Sequence, residues 1–180
     1  MSWFSRLRRA GKLWGARNSA PKSSVVCEVV RESMEDMPPL LSEISEFWFK
    51  KREGNLVPDW IHFSPHSQTK FLPHIVLWEV VDGDYLARIT GETAAKWLPV
   101  KVANRRLQNV LTDEISFLPA ELDRAVASKT PIYADRPKAW SFEDETVHIR
   151  VVHLPFRADH NETNRVLSVT SFTAEPKLDI

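Results

Sequence analysis

The dipeptide Asp82-Gly83 lies between two stretches, Ile75 to Val81 and Tyr85 to Thr90, whose apolar residues recur at every second position. An Asp-Gly pair accepts left-handed backbone angles at both residues. Flanked by alternation, it specifies a two-residue β-hairpin. With these residues at the corner, Val80 faces Tyr85 and Trp78 faces Ala87. Strict alternation then places Trp78, Val80, Tyr85, Ala87 and Ile89 on one side, the expected core. Glu79, Arg88 and Thr90 take the other, with Glu79 diagonal to Arg88 in a surface ion pair worth little.

Around this hairpin the pattern alternates between helix and strand. Val26, Val29, Val30 and Met34 suit a short helix over 25–36, with a Val-rich strand as the alternative. Pro38-Pro39 opens a better-marked helix with Leu40, Ile44, Phe47 and Trp48 on one side. It ends in Lys50, Lys51, Arg52 and Gly54, cations and glycine at the negative end of the dipole. Ser64-Pro65 reads as the start of a helix ending before Pro73. After Gly91, a helical turn is expected over 93–98 and a helix over 119–128, with Leu122, Ala125 and Val126 inward; 100–111 fits neither pattern. Three strands follow, over 131–140 (interrupted by Pro137), 146–156 and 165–172. The last two form a hairpin across the polar loop 157–164.

The chain has 180 residues, 43% of them hydrophobic, and carries seven tryptophans and one cysteine, Cys27. About 70% of the unfolded surface of such a chain can be buried, enough for a core without staples. No apolar run approaches the ~20 residues of a membrane span. One cysteine excludes an internal disulfide framework and fits a reducing, cytoplasmic setting.

The net charge of zero hides two different objects. Residues 1–27 hold six basic residues and no acid, and residues 28–180 hold 18 basic and 24 acidic ones. A body of charge −6 argues against a nucleic-acid partner, which requires clustered cations. The first 17 residues read as an amphipathic helix. Trp3, Leu7, Ala10 and Trp14 share one side with Phe4 beside them, and Arg8, Arg9 and Lys12 lie opposite. Such a segment suits docking on an anionic membrane surface or a partner, with Trp3, Phe4, Leu7, Arg8, Arg9, Lys12 and Trp14 in contact. An organellar transit peptide and a plain basic tail are the other readings. Residues 1–27 are thus expected to be a tail and linker, and 28–180 a domain with its core over about 38–173.

Helices, two strands, helices and three strands form the plan of PAS domains, an α+β fold with a five-stranded antiparallel sheet covered by short helices. Several local patterns sharpen the likeness. Trp48, Arg52, Gly54 and Pro58 spell W-x3-R-x-G-x3-P, and Leu72-Pro73-His74 leads into the first strand. Arg88 and Gly91 close the second strand, Pro131-Ile132-Tyr133 opens the third, and Leu154-Pro155-Phe156 lies near the end of the fourth. In these features the chain resembles a family of stand-alone bacterial PAS-like domains. The family usually has a Thr-Gly-containing loop where this chain has 98–109. The resemblance implies a small cavity between sheet and helices, and a sensory role through a small molecule or a protein partner, often as a homodimer.

Catalytic motifs are scarce. With five glycines and no G-x-S-x-G, nucleophile-elbow and phosphate-cradle enzymes lack their backbone requirement. His62 and His66 are separated by Ser64-Pro65. His148 and His153, five apart on a strand, point to opposite faces and cannot chelate together. His74 fits a strand-start histidine better than a haem ligand. No cofactor and no metal is indicated, and a flavin photosensor would need its cysteine inside the domain rather than at Cys27. Asn104, Arg105 and Arg106 suit either a solvent-facing basic turn or an anion. The expected ligand-binding residues are Trp78, Tyr85, Ile89, Trp97, Val151 and Val169, with a non-enzymatic function. Two alternatives stand beside it: a membrane-surface adaptor docked through the N-terminal helix, and a small cavity enzyme in which His74 or His153 points inward beside a carboxylate.

Overall fold

The expected hairpin forms, and it sits at one edge of a larger sheet than the sequence suggested. The computed structural model describes residues 25–29, 37–63, 68–159 and 162–176. The N-terminal segment with Trp3, Phe4, Leu7, Arg8, Arg9, Lys12 and Trp14, and the Ser64-Pro65 helix start, lie outside the described residues. Six strands, β1 (Val25–Glu28), β2 (Ile75–Val81), β3 (Asp84–Thr90), β4 (Ile132–Phe142), β5 (Glu145–Asp159) and β6 (Glu162–Pro176), form one sheet in the order β1-β4-β5-β6-β2-β3. Every pairing is antiparallel. The α-helices are α1 (Pro39–Lys51), α2 (Glu92–Trp97) and α3 (Leu118–Ser128).

β1 corrects the helix expected at 25–28. Its β-branched Val25 and Val26 pair with Asp135 and Ala134, and the Val29 N–H continues the ladder to the Pro131 carbonyl at 2.8 Å. An open edge on β4 outweighs a weak helical spacing. α1 begins at Pro39 and ends at Lys51, and the chain reverses through Glu53 and Gly54, both with positive φ.

Asp82 (φ 54°) and Gly83 (φ 79°) form the corner, and Val80 pairs with Tyr85 and Trp78 with Ala87 as the turn requires. Beyond Ala87 the alternation breaks. Leu77 pairs with Ile89, so Arg88 is an extra residue in a β-bulge. The bulge reverses the sides of the residues that follow. Ile89 leaves the expected core and is 42% exposed. Arg88 and Glu79 form their ion pair at the surface.

Helices cover both faces of the sheet, not one. α1 lays Leu41, Ile44 and Trp48 against Ile75, Leu77, Val152, Leu154, Phe156, Leu167 and Val169. On the opposite face Leu118, Leu122, Ala125 and Val126 of α3, with Ala94 of α2, meet Val76, Trp78, Tyr85, Ala87, Ile132 and Val166. Apolar residues on both sides of β2, β5 and β6 give near-continuous burial from Ile75 to Trp78, from Val151 to Phe156 and from Val166 to Thr170.

Candidate functional site

β5 and β6 carry buried polar side chains on the α3 face. Alternation along β5 directs Val147, Ile149, Val151 and His153 to that face and His148, Arg150 and Val152 to the other, so the two histidines are divided by the sheet as expected. His153 is 1% exposed, Glu121 of α3 4%, and Arg136 of β4 3%.

These residues form one chain of hydrogen bonds. Trp78 Nε1 donates to Ser168 Oγ at 3.0 Å, and Ser168 Oγ lies 2.7 Å from His153 Nδ1. His153 Nε2 lies 3.0 Å from Glu121 Oε2, and Arg136 Nη2 donates to Glu121 Oε1. An indole N–H can only donate, so the serine oxygen accepts from Trp78 and has one proton and one further lone pair with which to meet His153 Nδ1. The Arg136 guanidinium carbon stands 3.8 Å from the centre of the Phe117 ring, a cation–π contact, while Nε and Nη1 have no hydrogen-bond partner.

Beside this chain is a cavity of about 30 Å³ between sheet and helical segments, its walls including Val76, Trp78, Leu98, Ile115, Phe117, Trp140 and Val151, with His153, Ser168 and Thr170 at its border and an entirely apolar surface toward the space. Such a space is no larger than one or two water molecules.

Of the expected ligand residues, Trp78 and Val151 line this cavity. Tyr85 is buried farther along the same face, where its hydroxyl donates to Asp123 Oδ1 at 2.7 Å. Burial and the neighbouring carboxylate push the Tyr85 phenol far above its ordinary range. Partial desolvation raises Asp123, with the tyrosine bond pulling the other way. Trp97 does not reach the cavity; it packs edge-on against Phe142, 5.7 Å between ring centres, and its carbonyl accepts from Trp140 Nε1. Val169 points to the α1 face, because β6 sends 166, 168 and 170 to one side and 167 and 169 to the other. Ile89 is turned away by the bulge. His74 ends a 3-10 turn at the head of β2, its carbonyl accepting from Thr170 Oγ1.

Glu121 and Arg136 escaped the sequence reading. Both are charged, and Pro137 made β4 look broken just where Arg136 points inward. The spacing did contain a signal: Glu121 stands three residues after Leu118, four before Ala125 and directly before Leu122, on the inward stripe of α3.

The residues that suggested the fold turn out to be fasteners. Trp48 Nε1 donates to the Pro155 carbonyl, and the Arg157 N–H donates to the Pro58 carbonyl at 3.0 Å. A Cβ on Gly91 would stand 2.1 Å from the Leu72 carbonyl oxygen, so only glycine lets the end of β3 pass the Leu72-Pro73-His74 turn. A family model for the PAS domain matches residues 36–171. The chain belongs to the PAS domain family. No curated protein and no solved structure matches it significantly. This PAS domain is therefore a module of the sensory, signalling type, with β1 as a sixth strand at the edge of its antiparallel sheet. No helix among its described residues is long and apolar enough to cross a membrane.

Proposed function

We propose that this PAS domain is a non-enzymatic signalling module that meets its small-molecule or protein signal at its surface, its helix-covered core being closed. The observation that carries the reading is the size of the internal cavity. About 30 Å³ is the size of one or two water molecules, whereas pockets for metabolites run to ~300–1,000 Å³. Of the buried polar groups beside it, Trp78, Ser168, His153 and Glu121 are bonded to one another.

The cavity-enzyme reading has one observation in its favour. His153 borders the cavity beside Glu121, with Ser168 completing the order hydroxyl, imidazole, carboxyl found in acyl-transfer triads. Two features weigh against it. A lone pair of the Ser168 oxygen is held by the Trp78 indole, and the cavity has no room for an acyl group. The arrangement is better suited to locking sheet to helix, since its bonds tie β2, β6, β5, α3 and β4 together in the core.

Native mass spectrometry of the full chain tests the closed core. The expected mass is that of the polypeptide alone, with no thermal shift from apolar metabolites in the variant Val151→Ala beyond that of the parent. A retained molecule, or hydrolysis of a fluorogenic ester lost in Ser168→Ala, overturns the proposal.

The acid-free residues 1–17 support a second element of the reading, peripheral docking on an anionic membrane surface.

A further inference from the structure

The segment 98–112 joins α2 to the helical turns before α3 and carries Lys101, Arg105 and Arg106 with no acid, on a body whose charge is negative. It is pinned firmly. Val102 and Leu107 are buried in the core, and Val110 is 9% exposed. The Ala87 N–H donates to the Arg105 carbonyl at 3.1 Å, and the Asn104 N–H returns a bond to the Ala87 carbonyl at 2.9 Å. Arg106 is committed: Nη1 donates to the Val81 carbonyl and Nη2 to Asp82, each at 3.0 Å. Its neighbours are not. Among the described residues, the Lys101 ammonium and the Arg105 guanidinium make no ion pair or side-chain hydrogen bond.

Both cations border one groove of about 370 Å³, within the range of small-molecule sites, together with the Asn109 carboxamide and the apolar Val100, Val110 and Leu111. Thr112 lines it too. Two uncommitted cations, an amide and an apolar floor on a fixed backbone are complementary to a small organic anion. The guanidinium fork pairs with a carboxylate or phosphate, the ammonium adds a point charge, and the valines cover an apolar body.

We infer that this groove binds a small molecule carrying one carboxylate or phosphate on an apolar body. The inference deepens the proposed function and rests on its closed core, for it supplies the surface site at which the domain is read.

The test uses the full-length, isotope-labelled chain titrated with benzoate and phenyl phosphate, with acetate and inorganic phosphate as the matching anions without an apolar body. Saturable amide shifts confined to residues 100–112 are expected, with benzoate binding at least about fivefold tighter than acetate. In Lys101→Met/Arg105→Met, which keeps the apolar stems, affinity falls at least about tenfold; in Lys50→Ala, on α1, it is unchanged. Shifts spread over all surface cations, equal affinity for the bare anions, or binding that survives the double variant would overturn the inference. If the probes shift Trp78 and Val151 instead, the core is open and the proposed function fails with it. If nothing saturates while the native mass remains that of the bare chain, the groove inference fails alone.

Discussion

The indole nitrogen of Trp48 donates a 2.7 Å hydrogen bond to the carbonyl of Pro155, 107 residues farther along the chain. Trp48 is fully buried, and the bond fastens α1 to β5 on the face away from the cavity. Proline leaves its own carbonyl available but interrupts the ladder as a donor, so an indole from the covering helix is a fitting partner.

Trp48→Phe keeps an aromatic ring and removes that donor, leaving the Pro155 carbonyl buried without its partner. The expected loss is about 1–3 kcal/mol, read from the midpoint of urea unfolding with an unchanged slope. A variant as stable as the parent would show that α1 does not depend on this clip.

Gly91→Ala sets a methyl group 2.1 Å from the Leu72 oxygen and 2.4 Å from that of Pro73. Both obstacles are backbone. The Gly91 N–H also donates to the Ile75 carbonyl at 2.8 Å, so the strand end cannot retreat without losing that bond. More than about 3 kcal/mol of destabilisation is expected, above the usual cost of overpacking. Circular dichroism of the purified variant checks this, and a native melting curve would refute it.

Glu121→Ala strands Arg136 in the core with its charge unpaired and removes the acceptor of His153. About 3–5 kcal/mol should be lost. Replacing both partners by apolar residues of similar volume, Glu121→Leu with Arg136→Met, should be much milder than the single change. Chemical denaturation of both variants decides it, and a double variant as unstable as the single one would contradict the pairing.

Both tyrosines of the chain resist ionisation, Tyr85 chiefly through burial and Tyr133 through burial and the nearby Asp135, its phenol pushed up to about 12. The native state therefore holds protons above pH 10 that the unfolded chain releases. Stability is present in full below the ordinary tyrosine value and declines as pH rises past it, by up to about 1.4 kcal/mol per unit for Tyr85. Ultraviolet titration should show little tyrosinate in the native protein near pH 10.5 and most of it in urea. A native curve centred on 10 would contradict the burial of these rings.

The basic N-terminal segment is expected to bring the full chain to the top of a flotation gradient with phosphatidylserine vesicles, and its removal (residues 1–17) to leave the protein at the bottom. Neutral vesicles should carry neither. Equal behaviour of the two chains would end the docking idea.

Much of the fold was legible because local chemistry and tertiary pairing agree. Asp82-Gly83 has one good turn available, Pro38-Pro39 opens one helix, and the β5–β6 alternation is long enough to set their inward residues. Legibility failed where one residue changes a count. The extra Arg88 sends Ile89 to the wrong side of an otherwise correct ladder, and no propensity marks it. Val169 was misplaced for a different reason. Both faces of β6 are apolar, so alternation names the two sets but cannot say which one lies under α3. The polar chain from Trp78 to Arg136 was hidden because its members come from five separate elements and its charged end, Glu121 and Arg136, resembles surface residues when read alone.

The bonds between Ala87 and the Asn104–Arg105 peptide have a consequence for how molecules of this protein can meet. They occupy the outer margin of β3 at its midpoint, where an exposed strand would otherwise recruit a neighbour by backbone pairing. Association through extended ladders is discouraged at that rim, so encounters there must be made by side chains, whose charge and shape can tell one visitor from another.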